Sequence, residues 1–196
     1  MSDGNTDSKR EEEILAARVG AMKPLNGPVV LTAYDPAWPK MFDQLAQRIR
    51  RTLGDRVVLL EHAGSTSVPG LSAKPIIDIV LAVEDSSDES AYVTPLEAEG
   101  FVLRVREPDW FEHRVLKVPD IVANIHVFSS GCSEIETMLL FRDRLRNHPE
   151  DRILYETTKR ELASRTWKYT QNYADAKSEV VMEILTRARE AESSDR

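Results

Sequence analysis

The chain has 196 residues, 41% of them apolar and 30% charged, and carries a net charge of −7 at neutral pH. That length fits one domain with a sizeable core, no apolar run approaches the roughly 20 residues of a membrane span, and the acidic balance argues against a protein that wraps long nucleic acid. A single cysteine, Cys132, excludes an internal disulfide and a cysteine-built zinc site, and reads as an inert filler rather than a catalytic thiol.

In chain order, residues 1–24 read as a flexible tail, with disorder before about Glu11 and at most a short helix through Glu11–Ala21. The start, MSDGNTDSKREEE, is polar and acidic, the opposite of a signal peptide, which points to the cytoplasm. Val29–Thr32 is a short strand candidate. Asp35-Pro36 then opens a helix over Pro36–Leu53, in which Trp38, Met41, Phe42, Leu45, Ile49 and Leu53 recur at helical spacing before Gly54. Arg56–Leu60 is a buried strand that stops at His62-Ala63-Gly64, and Ile76–Val83 is a second, apolar except for Asp78. The polar stretch Asp85–Glu89 leads into a helix to about Glu99, and Phe101–Arg106 alternates like a strand with one wet face. Arg114–Val118 and Ile121–Phe128 form an antiparallel pair joined at Pro119-Asp120, with Asn124 and His126 on one face. Three helices follow: one from Ser133 until His148-Pro149 breaks it, one from about Glu150 to Tyr169, and one over Tyr173–Ala188.

The chemistry concentrates in Glu61–Val83, EHAGSTSVPGLSAKPIIDIVLAV. Gly64 permits a sharp turn, and Ser65, Thr66 and Ser67 offer hydroxyls and backbone N–H groups, as a phosphate cradle does; a plain turn of small residues is the alternative. The pattern is neither a P-loop nor a dinucleotide fingerprint. Lys74 supplies charge neutralisation, and Asp78 is either a metal anchor or one half of an internal pair with Lys74 or His62. His62 and His126 are ligands or satisfied core groups, and Trp110-Phe111 before His113-Arg114 stacks on a base or closes the core. Arg142 and Lys177 fall on apolar stripes, where each needs an internal carboxylate or a bound anion. Around them, Phe141–Tyr169 holds eight Lys/Arg against five Asp/Glu, which is either a solvated surface or a wall for an anionic small molecule.

The segment HAGSTSVPGLSAKPIIDI resembles the signature of the GrpB family, placed in the nucleotidyltransferase superfamily. NIHVF at Asn124–Phe128, FRDRLRNHP at Phe141–Pro149, YETTKRELA at Tyr155–Ala163 and YADAKSEVV at Tyr173–Val181 resemble its later blocks, so the likeness spans about Val29 to Ala188. It implies a mixed α/β (α+β) fold: a nucleotidyltransferase-like mixed sheet flanked by helices over about residues 29–128, then a helical part over 133–190, one domain from 25 to 190. In that superfamily a Gly-Ser pair holds phosphates and acidic residues hold divalent metal. Gly64 and Ser65 match the pair and Asp78 matches one acid, whereas Ile76 and Val80 stand where its partner belongs, and His126 stands where a third acid would be sought. A related domain is found fused to dephospho-coenzyme A kinase in some proteins.

Three functions stay open. The first is transfer of a nucleotidyl group to a small acceptor: Asp78 and Lys74 catalytic, His62, Gly64, Ser65, Thr66, Ser67, Arg142 and Lys177 on phosphate, and Asp78 with His126 on Mg²⁺. The second is a catalytically inactive module that binds a nucleotide or another phosphorylated small molecule. The third is a structural or interaction protein. The expected partner is the small phosphorylated ligand, with no long nucleic acid and no membrane.

Overall fold

The computed structural model describes residues 11–20, 24–118 and 120–194. The disorder expected before Glu11 therefore lies outside the described residues, as does the hairpin tip at Pro119. Strands β1 (Leu59–Ala63), β2 (Ile77–Val83), β3 (Val102–Glu107), β4 (His113–Lys117) and β5 (Ala123–Ser129) form one mixed sheet in the order β1-β2-β5-β4-β3. The central pair, β2 and β5, is parallel and the other neighbours are antiparallel. Helical residues 11–16 (α1) precede α2 (Trp38–Leu53) and α3 (Glu89–Ala98); α4 (Ser133–Asn147), α5 (Pro149–Ala163), α6 (Thr170–Asp175) and α7 (Ser178–Ser194) follow the sheet. None of the helices among the described residues is long and apolar enough to cross a membrane.

Side-chain alternation divides the sheet into two unlike faces. Ile77, Ile79, Leu81 and Val83 of β2, with Ile125 and Val127 of β5, pack under Leu45, Ile49 and Leu53 of α2 and Leu96 of α3 in the main core. The other face carries Asp78, Val80 and Ala82. Val80 and Ala82 meet Ala63, Phe128 and Ile135 under α4, with Cys132 at the margin of that cluster. Beyond it, α4, α5 and α7 pack on one another and on Val68 and Leu71 of the loop between β1 and β2. Helices cover this face only in part, and Asp78 stands where the cover ends.

Several local expectations change. Val29–Thr32 contributes a single bridge, Thr32 to Ala73, because its residues pack against the C-terminal helices rather than a strand. The strand expected over Arg56–Leu60 starts three residues later, because Gly54–Arg56 winds into a 3-10 turn. The long helix to Tyr169 ends at Ala163, where the Trp167 indole donates to the Leu162 carbonyl and the chain pairs with Gly27. Residues 11–20 are not a loose tail: Arg18 bridges to Val105 of β3, and Glu11 accepts hydrogen bonds from Lys168 and the Tyr169 hydroxyl.

Asp151 fixes the C-terminal helices to one another. It is fully buried in α5, with Arg144 of α4 at 2.6 Å from Oδ2 and Arg187 of α7 at 2.8 Å from Oδ1. The Arg187 contact is one of charge without hydrogen-bond alignment. Asp151→Asn keeps the volume and strands two arginines, so urea unfolding is expected to show a loss of about 3–5 kcal/mol; a change below about 1 kcal/mol would remove this residue from the account.

Candidate functional site

A cavity of about 940 Å³ opens on the partly covered face of the sheet. Its floor is three side chains on adjoining strands, Asp78 of β2 and Asn124 and His126 of β5, with Asp78 and Asn124 directly paired in register. The loop after β1 forms one wall. There Gly64 adopts φ +65°, a conformation that a side chain resists, and a Cβ would collide with the Asp78 carboxylate. The opposite wall comes from the C-terminal helices through Tyr155, Lys159, Tyr173 and Lys177.

Asp78 is held by nitrogen donors. Asn124 Nδ2 donates to its Oδ1 at 2.8 Å, and His126 Nε2 lies 3.7 Å from the same oxygen. Burial works against its charge, and the His126 ring, the Asn124 amide and the Lys74 ammonium together outweigh burial, so its pKa lies below the usual carboxylate value.

The cations on the wall are crowded and short of counter-charge. Lys159 is buried and donates to the Ser65 hydroxyl at 3.1 Å and to the Ser72 carbonyl. Lys74 and Lys177 have neither a hydrogen bond nor an ion pair among the described residues. Their ammonium groups face the Tyr173 ring at 5.5 and 4.8 Å, while Lys159 faces Tyr155 at 4.8 Å. Desolvation, then repulsion from Lys177, brings Lys159 down to about 7 and Lys74 to about 8. The Tyr173 hydroxyl, on a side chain 1% exposed, has no hydrogen-bond partner, and burial pushes its pKa up. A small anion would satisfy all of these groups.

The structure brings Gly64, Ser65, Thr66, Lys74, Asp78 and His126 to this cavity, with Lys177, and leaves three other candidates outside it. His62 points through the opposite face of the sheet, where its ring stacks on Phe42 and its Nε2 contacts Thr66 Oγ1 at 3.0 Å; burial lowers its pKa to about 4. Ser67 turns back to donate to the Gly64 carbonyl. Arg142 is spent on Glu61, Asp143 and the His62 carbonyl, which answers the need for an anion that its apolar stripe created. Lys177 reaches the cavity for a different reason than its spacing implied, since the expected helix is broken into α6 and α7 and Lys177 stands in the turn between them. Trp110 and Phe111 close over the sheet, with Trp110 edge-on to His113 and Phe128.

Magnesium fits these residues poorly. Oδ1 of Asp78 is taken by an amide and faced by an imidazole, Oδ2 abuts Gly64, and the nearest charges are ammonium groups. No three His, Cys, Asp or Glu side chains among the described residues gather as a metal-holding group.

Lys159, Tyr155 and Tyr173 are site residues that residue-by-residue reading passes over. Tyr155 and Lys159 stand one helical turn apart inside YETTKRELA, and a cation one turn from an aromatic residue on a buried face was the available signal.

A profile described as GrpB protein matches residues 28–187. The chain is 55% identical over 189 residues to the UPF0157 protein of Halalkalibacterium halodurans, covering 96% of this chain and 97% of that one. It is 29% identical over 164 residues to a protein of Mycolicibacterium paratuberculosis named dephospho-CoA kinase, covering 70% of this chain and 40% of that protein. The crystal structure of conserved protein GrpB from Enterococcus faecalis superposes with a TM-score of 0.68 at 31% identity, covering 81% of this chain and 96% of that one.

The depressed lysines make stability depend on pH. Between about pH 7 and 10 the unfolded chain, with ordinary lysines, binds more protons than the folded one, so stability rises with pH in that window. Urea unfolding of the ligand-free protein is expected to show that rise, and the Lys74→Met, Lys159→Met double variant to flatten it. A profile that is the same in both proteins would mean that these lysines are already neutralised.

Proposed function

The chain belongs to the GrpB family, and from that premise we propose that its cavity binds the phosphate end of a nucleotide or another phosphorylated small molecule. The observation that carries this reading is the set of three crowded ammonium groups, Lys74, Lys159 and Lys177, gathered beside Ser65 without a carboxylate pair. Holding such charges in a partly dry site destabilises the empty protein, and a phosphate offsets that cost by charge-assisted hydrogen bonds. Tyr155 and Tyr173 give the site apolar walls, and the unpartnered Tyr173 hydroxyl supplies one more donor.

Binding is favoured over transfer of a nucleotidyl group. A two-metal displacement needs carboxylates around the reacting phosphorus, and Ile76 and Val80 flank Asp78 where a second one would stand. In this reading Asp78 orients the ligand rather than anchoring Mg²⁺. The matching stretch in a dephospho-CoA kinase makes coenzyme A precursors natural probes beside nucleotides.

Calorimetry with inorganic phosphate, AMP, ATP and dephospho-coenzyme A, each with and without Mg²⁺, tests the reading. At least one of these is expected to bind without metal, and at a hundred times its Kd to stabilise the fold by about 2.7 kcal/mol. Lys177→Met is expected to weaken that ligand by about tenfold or more, equivalent to ~1.4 kcal/mol, without loss of stability. Arg142→Met, away from the cavity, is expected to cost stability and leave affinity unchanged. Binding strictly dependent on Mg²⁺ and lost in Asp78→Asn would overturn the reading in favour of metal-assisted transfer, and no binding by any probe would overturn both.

A further inference from the structure

A chain of hydrogen bonds crosses the sheet and ends in the cavity. Glu107 Oε2 lies 2.7 Å from His113 Nδ1, and His113 Nε2 lies 3.1 Å from His126 Nδ1. The two imidazoles are nearly coplanar, at 7°, with centroids 5.2 Å apart. With the nitrogens that close, such a separation is reached only when the rings meet edge to edge, so N–H and lone pair point along the line between them. His113 is 4% exposed, lies under Phe128 and against the edge of Trp110, and burial holds its pKa below the usual imidazole value.

These contacts fix both tautomers. A neutral imidazole has one N–H and one lone pair. The Glu107 carboxylate accepts, so the proton of His113 is on Nδ1 and its Nε2 is an acceptor. That acceptor needs a donor, which is His126 Nδ1–H. His126 Nε2 is then a lone pair in the cavity, 3.7 Å from Asp78 Oδ1, a carboxylate oxygen that also accepts. Two acceptors at that distance make no bond to each other, and a single donor held between them satisfies both.

We propose that His126 Nε2 and Asp78 Oδ1 form a hydroxyl-recognition subsite, so that the ligand of this cavity is a phosphorylated molecule with a free hydroxyl near its phosphate. The inference rests on the anion reading of the lysine wall. Gly64 abuts Asp78 while its neighbour Ser65 meets Lys159, so the hydroxyl and phosphate subsites are adjacent and the two groups are close together on the ligand. His113 and Glu107 are positioning residues: they touch no ligand and set which nitrogen of His126 is bare.

Two measurements test this together. The chain has four histidines, so ¹⁵N spectra of their side chains identify each tautomer in the ligand-free protein. His126 is expected as the neutral Nδ1–H form, and Glu107→Ala is expected to release it to a mixture. Calorimetry then compares glycerol 3-phosphate with propyl phosphate, which has the same charged group and no free hydroxyl. The former is expected to bind at least about tenfold tighter. His126→Phe is expected to erase that preference while leaving propyl phosphate within about twofold of its wild-type affinity. A His126 protonated on Nε2 in the free protein overturns the subsite whatever binds, and so does equal binding of the two probes. Failure of both probes to bind overturns the anion reading and the subsite with it, whereas equal binding leaves the anion reading intact.

Discussion

An ammonium group removed from water needs a counter-charge, and this fold gathers three of them where the chain supplies none. Lys159 spends its donors on a serine hydroxyl and a carbonyl, and Lys74 and Lys177 have only the faces of tyrosine rings. Neutral partners and ring faces orient a cation without discharging it, which is why Lys159 and Lys74 titrate near 7 and 8. The positive field of the cavity follows from this, although the chain as a whole is acidic. A net charge describes a surface, and a site can carry the opposite sign.

The rest of the molecule keeps those groups together. The loop with Ser65 and the floor at Asp78 belong to the sheet, whereas Lys159 and Lys177 belong to the helices, so the site exists only while the helical part is docked. Asp151 ties α4, α5 and α7 into one block, and Val68 and Leu71 seat the β1–β2 loop against it. Gly64 closes the arrangement, because only a residue without a side chain lets the loop lie against the Asp78 carboxylate. At the far end of the sheet, Glu107 and His113 extend polar order through a buried layer that would otherwise be apolar.

Much of this was legible in the sequence. Strand alternation gave β2, β5 and the hairpin of β4 with β5, and it put Asn124 and His126 on one face; a lone aspartate in an apolar strand marked Asp78. What periodicity could not give was decided by tertiary contacts. The break at Asp175–Ser178 is one case, since the residues on both sides keep helical spacing and nothing local announces the turn that carries Lys177. Arg142 and His62 are another. Their types and neighbours suit a phosphate site, yet strand parity turns His62 through the sheet, and Glu61, which shares a face with Ala63, reaches Arg142 first. Lys159 was hidden for the reverse reason: a lysine on an amphipathic helix reads as solvated until the loop that buries it is in place.

The central claim is that the lysine wall lacks its counter-charge until a phosphate arrives. The most direct measurement is the titration of the lysine side chains by ¹³C NMR, with assignments from Lys74→Met and Lys159→Met, in the free protein and in saturating inorganic phosphate or a tighter phosphorylated ligand. The account predicts two lysines that lose their protons near pH 7 and 8 in the free protein and move upward toward the ordinary value when the anion binds. Lysines that titrate near 10 in the free protein, or that do not respond to any phosphorylated ligand, would contradict it.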